Sequence, residues 1–244
     1  LATAEGISSH APQVKVFRAG AWKPRTRPGG FEGVGEAALP WLTEARERTG
    51  LLLMTEVATP QHVEAALTAG IDMLWVGART TPNPFSVQAI ADALRGTDIP
   101  VFVKNPLNPD LQLWIGAPER PAEAGITRMA AIHRGFQWFE HTAYRNNPMW
   151  EFPIRLKAAF PKLELICDPS HIAGSPELLA EIAQQALDLN FSGLMVETHS
   201  DPAQAKSDAR QQITPERLAE LLGGLVHRSA SAGPHLRDEL QEFR

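Results

Sequence analysis

The chain holds a single cysteine, Cys167, among 244 residues. A lone thiol excludes an internal disulfide and leads to the expectation of a reducing, cytoplasmic setting. No apolar stretch approaches the roughly 18 residues that a membrane helix needs, and the first residues lack a signal-peptide pattern. The net charge is −5, without a basic stripe or a basic amphipathic helix, which argues against a nucleic-acid or membrane partner.

What the sequence does have is a repeated pattern. Short apolar runs ending in a charged or polar residue occur at 14–18, 51–56, 73–79, 100–104, 129–134, 163–171 and 194–199. Segments with helical periodicity lie between them, at 36–49, 62–69, 85–94, 177–189 and, last, 215–225. Apolar runs of this length read as strands buried on both faces, and their alternation with helices reads as βα units of a parallel sheet. The chain is close to the roughly 250 residues of one (β/α)8 barrel, so the pattern predicts an α/β fold of the TIM-barrel type.

Seven runs are visible where such a barrel has eight strands, and residues 1–7 read as the middle of a helix. The expectation is therefore a barrel lacking its first strand over residues 1–226. A linker rich in Ser, Ala and Gly is expected at 227–234, and the start of a further helix at 235–244.

Charges gathered at strand ends mark the active face of such a barrel. Arg18, Arg79, Lys104 and Arg134 stand there with Glu56, His171 and Glu197, and a loop after the first run carries Lys23-Pro24-Arg25-Thr26. Four unpaired cations converging on one cavity would repel each other unless an anion lay between them. The second constellation is Asp168-Pro169-Ser170-His171 with Glu197 and Asp208. One histidine and two carboxylates suit a divalent metal such as Mn²⁺, Fe²⁺ or Zn²⁺. Each also has a plainer reading, as a hydrogen-bonded strand-end residue, a helix cap or a surface acid. His133, His199 and Glu56 are further candidates, either as direct participants or as hydrogen-bonding neighbours.

Together these motifs resemble 3-deoxy-D-arabino-heptulosonate 7-phosphate (DAHP) synthases. The resemblance rests on Phe17 to Thr26, Gly77-Ala78-Arg79, Val103-Lys104-Asn105-Pro106, Ile132-His133-Arg134-Gly135, Asp168-Pro169-Ser170-His171 and Val196-Glu197-Thr198-His199. It is nearest to the short type I branch shared with octulosonate 8-phosphate synthases, and to forms fused to a C-terminal chorismate mutase. It implies condensation of phosphoenolpyruvate with erythrose 4-phosphate, the first step of the shikimate pathway.

It implies Arg18, Lys23, Arg79, Lys104 and Arg134 as phosphoenolpyruvate-binding cations, and Arg25 and Thr26 as contacts to erythrose 4-phosphate. Lys23, Glu56 and His133 become candidates for proton transfer. His171, Glu197 and Asp208 become ligands of a divalent ion, with Mn²⁺ first and Fe²⁺, Zn²⁺ or Co²⁺ as substitutes. The family's fourth ligand, the cysteine of an Ala-Gly-Pro-Cys motif, has no counterpart in these residues. It belongs to the strand the count lacks, so a native product extending upstream through that strand is expected. Cys167 is expected on the side of His171 at a different depth, and so not in its place. A dimer or tetramer and an associated chorismate mutase are the implied partners. The alternatives are an octulosonate 8-phosphate synthase, a metal-dependent aldolase on the same barrel, and a non-catalytic barrel serving as scaffold for a chorismate mutase.

Overall fold

The computed structural model describes residues 1–227. Seven strands form, six along the predicted apolar runs and the last touching only the start of its run: β1 Val16–Ala19, β2 Leu52–Val57, β3 Met73–Val76, β4 Val101–Lys104, β5 Met129–His133, β6 Glu164–Cys167 and β7 Gly193–Leu194. Each pairs in parallel with the next, in the order β1 to β7, and among the described residues β1 and β7 share no ladder. The helices are α1 Ala2–His10, α2 Leu39–Thr49, α3 Pro60–Thr68, α4 Pro84–Ala93, α5 Leu111–Glu123, α6 Glu151–Ala159, α7 Pro169–Ala173, α8 Leu179–Asp188 and α9 Pro215–Gly224. The fold is thus the predicted α/β barrel, open by one strand. The expected linker beyond His227 and the helix at 235–244 lie outside the described residues.

Alternation along the strands explains the curl. Val16, Met54, Trp75, Phe102, Ile132, Ile166 and Met195 pack into one cluster, with a residue from each strand or its immediate extension. Such a shared layer requires the sheet to wrap around its own inner face. The neighbours facing outward meet the helices: Leu53, Leu74, Val76, Val101 and Val103 pack under α2 to α4. Ala131, Leu165 and Cys167 pack with α5 to α9. Leu53 and Leu74 are fully buried, and each such leucine contributes about 1.5–3 kcal/mol.

Four helices start with the same device, an oxygen-bearing cap followed by proline. Thr59-Pro60, Asn83-Pro84, Asp168-Pro169 and Thr214-Pro215 begin α3, α4, α7 and α9, each cap accepting a bond from a backbone N–H of the first turn. Proline suits this first position because its missing N–H has no partner there in any case. Helix α5, in contrast, runs through Pro118 and Pro121. Both rings are buried with Trp114 and Ala117, so packing offsets the lost intrahelical bonds.

One expectation is corrected here. His171 does not end a strand: β6 stops at Cys167, and His171 lies within α7, whose N-cap is Asp168. Strand alternation therefore does not relate Cys167 to His171. Cys167 faces the helix layer, fully buried, and burial pushes its thiol up.

Candidate active site

Two residues beyond the inner apolar layer, the same alternation points polar side chains inward above it. Val16, Met54, Phe102, Ile132 and Met195 are followed at that spacing by Arg18, Glu56, Lys104, Arg134 and Glu197. These five, with Lys23, Arg79 and His171, line the polar part of a cavity of about 560 Å³ at the C-terminal ends of the strands; its apolar part continues past Val14, Val16, Met73 and Leu194, between α1 and α9. Arg25 and Thr26 line a neighbouring open groove that meets the cavity at Phe31 and Arg79. Arg79 Nε donates to Thr26 Oγ1 at 2.8 Å, which ties the basic loop to the end of β3.

The cations are not all unpaired, contrary to expectation. Lys104 Nζ lies 2.7 Å from Asp168 Oδ2, with both groups buried. Arg18 donates to Glu197 Oε1 at 2.7 Å, and its guanidinium sits 5.6 Å over the Trp75 ring. Lys23 Nζ donates to Asp208 Oδ2 at 2.6 Å and to Ser207 Oγ at 2.7 Å. Arg134 has no carboxylate partner among the described residues; it donates to Asn146 Oδ1 at 2.7 Å, and burial lowers its pKa to about 10.

The acids divide by environment. Burial opposes ionisation of Glu197, but His171, Arg18 and Lys23 outweigh it and hold the carboxyl at about 2. Asp208 and Asp168 are likewise held well below the usual carboxylate range against burial, by Lys23 and Arg145 and by His171 and Lys104 respectively. Glu56 goes the other way. Its burial raises the pKa, and Lys104, Arg18, Lys23 and Arg79 only partly offset this.

His171, Glu197 and Asp208 each present a ligand atom within 4.8 Å of the others. His171 Nδ1 lies 2.9 Å from Asp168 Oδ2 without the alignment of a hydrogen bond. A partly buried, imperfectly partnered imidazole beside two ionised carboxylates fits a divalent cation. Cys167 does not line this cavity and supplies no fourth donor.

His133 is turned away. Being one residue out of phase with Ile132 and Arg134, it packs against Trp114, Phe136, Trp150 and Phe191 on the helix side of the sheet. Burial lowers its pKa to about 3, and the Pro148 backbone approaches it without an aligned bond. It does not line the cavity. His199 lines the cavity rim, its Nδ1 accepting from the Asp201 N–H. Arg145 and Gln211, which spacing did not single out, bond to Asp208 and Glu197 respectively. Their partners lie 63 and 14 residues away in sequence, so no local pattern reveals them.

An open (β/α) barrel with a cation-lined cavity at its strand ends, and a His171, Glu197 and Asp208 triad beside it, defines the class. The chain belongs to the DAHP synthetase I family, which it matches over residues 1–229. It is 31% identical over 213 residues to a phospho-2-dehydro-3-deoxyheptonate aldolase of Thermotoga maritima, covering 86% of this chain and 60% of that protein. The crystal structure of a Thermotoga maritima DAHP synthase superposes with a TM-score of 0.79 at 27% identity, covering 98% of this chain and 64% of that one. A 2-dehydro-3-deoxyphosphooctonate aldolase of Paraburkholderia xenovorans is 26% identical over 234 residues, covering 86% of this chain and 77% of that protein.

Proposed function

We propose that the chain carries the site for condensing phosphoenolpyruvate with erythrose 4-phosphate to DAHP and inorganic phosphate. The observation that carries this is the convergence of Arg18, Lys23, Arg79, Lys104 and Arg134 on one cavity beside the His171, Glu197 and Asp208 triad. Phosphoenolpyruvate brings a phosphate and a carboxylate, and buried Arg134 and Lys104 are placed to hold them. Arg25, Thr26 and Arg79 face the groove that suits the second phosphate. Holding both reactants in this way supplies the proximity that a weak carbon nucleophile needs.

A divalent ion on the triad, Mn²⁺ first and Fe²⁺, Zn²⁺ or Co²⁺ as substitutes, would polarise the aldehyde oxygen. As C3 of phosphoenolpyruvate bonds to the aldehyde carbon, Lys23 gives a proton to the developing alkoxide. Water then adds at C2, giving its proton to Glu56, whose pKa burial raises and which is thereby a stronger base than an ordinary carboxylate. The resulting hemiketal phosphate collapses with loss of inorganic phosphate. His133, sealed in the helix-facing core, takes no part in this reading.

Among the described residues no helix is long and apolar enough to cross a membrane. A cytoplasmic homo-oligomer, dimer or tetramer, working beside a chorismate mutase completes the reading. The second reading is the condensation of phosphoenolpyruvate with arabinose 5-phosphate, which the octulosonate-type relative supports. Phosphate release with each aldose phosphate, with and without Mn²⁺, separates the two. Turnover with neither aldose in the presence of Mn²⁺ would overturn both.

A further inference from the structure

Arg145 sits where the supports of all three metal-ligand candidates meet. Its backbone N–H donates to Ile172 O at 2.9 Å, within α7, the helix that carries His171. The adjacent Asn146 side chain donates to His171 O at 2.6 Å. The Arg145 guanidinium donates to Asp208 Oδ1 at 2.9 Å and also to Gln211 Oε1. Gln211 in turn donates from Nε2 to Glu197 Oε2 at 2.6 Å, completing a chain from Asp208 to Glu197.

Three further observations mark this chain as built rather than incidental. Gln211 is only 1% exposed, so its amide is committed to these two partners. Gly174 lies against the aliphatic part of Arg145, and a methyl group at that position would overlap the Arg145 Cβ. Asp208 adopts φ of 52°, a left-handed conformation that costs energy without glycine and needs contacts to hold it. The Arg145 and Lys23 bonds to its two oxygens supply such contacts.

We propose that Arg145 and Gln211 are positioning residues for the metal site, aligning the Asp208 and Glu197 carboxylates toward one point beside His171. Lys23 and Arg18 hold the other oxygen of each carboxylate, and a metal would compete with those cations for them. Arg145 and Gln211 grip the remaining oxygens, and so keep both carboxylates in place while that exchange occurs. The inference rests on the metal reading given above.

The test is Mn²⁺ titration of the full chain by calorimetry, with the electron paramagnetic resonance spectrum of bound Mn²⁺ as a second signal. Gln211→Leu and Arg145→Gln should each weaken Mn²⁺ binding by about 10–100-fold, with the metal-free melting temperature of Arg145→Gln close to that of the parent. Arg145→Lys, which keeps a positive charge and a hydrogen-bond donor beside Asp208, should lose less. If Gln211→Leu fails to fold, Arg145→Gln decides alone. Parent affinity in the folded variants would overturn the assignment, as would a raised KM for the aldose phosphate with metal affinity unchanged. A parent protein that binds no divalent ion would overturn the metal reading itself, and this inference with it.

Discussion

Glu56 occupies the space that a side chain on Gly77 would need: a Cβ built there overlaps Glu56 Oε1. The glycine after β3 therefore allows the carboxylate at the end of β2 to lie over the cavity. Gly77→Ala should push the Glu56 carboxylate aside and lower kcat about 100-fold or more if Glu56 accepts the proton from water. Phosphoenolpyruvate affinity, which the proposal assigns to Arg134 and Lys104, should hold. Steady-state kinetics with calorimetry check this, and an unchanged kcat would remove Glu56 from the mechanism.

Glu56 also gives a pH signature. Below its pKa it keeps its own proton and cannot take another, so kcat/KM should fall on acidification. Burial raises that pKa, so the fall should lie above the ordinary carboxylate value of 4.5. Glu56→Gln should abolish this limb along with most of the rate.

Two ion pairs join carboxylates proposed as metal ligands to cations proposed as substrate contacts: Lys23 with Asp208 and Arg18 with Glu197. A metal drawing on the carboxylates frees the cations, and an anion drawing on the cations frees the carboxylates. Phosphoenolpyruvate should therefore tighten Mn²⁺ binding, and Mn²⁺ should tighten phosphoenolpyruvate binding by the same factor, about 5–150-fold. Paired titrations by calorimetry measure both sides, and Lys23→Met should shrink the coupling.

Asp168 contributes stability that depends on pH. Its carboxyl, opposed by burial but held by His171 and Lys104, ionises well below 3.8 in the folded chain. Its contribution is therefore full above that unfolded value and is lost as pH falls below it. Asp168→Asn should flatten the acid limb of a denaturation series. It should also cost roughly 3–5 kcal/mol near neutrality by leaving Lys104 buried without its partner.

His133 predicts a different slope. The folded chain keeps this imidazole neutral down to about 3, whereas the unfolded chain protonates it near 6.5. Stability should therefore decline as pH falls from 6.5 toward 3. His133→Leu should remove that part of the decline and leave kcat intact. A large loss of kcat in a stable His133→Leu protein would contradict its placement outside the cavity.

The strands are legible because each is a short apolar run closed by a polar residue; six form along their runs, and β7 Gly193–Leu194 touches only the start of the seventh. Helix α5 was not singled out, because Pro118 and Pro121 break the local rule and only burial against Trp114 and Ala117 restores it. The inward cations could be read from their position at strand ends. For His133, its place at a strand end is not enough: period two from Ile132 sends Arg134 inward and His133 toward Trp114 and Phe136. Arg145 and Gln211 had no sequence signal, since a polar chain joining three loops exists only after folding.

The guanidinium of Arg18, poised over the Trp75 indole, makes the site optically legible. A cation held above an indole face shifts the energy of its excited state, and Trp75 is 1% exposed, so solvent adds little to that shift. Whatever draws Arg18 toward an anion or away from Glu197 should change the light Trp75 emits. Occupancy of the cavity can therefore be followed in real time without a label, in a variant whose other five tryptophans, of six in the chain, are replaced by phenylalanine.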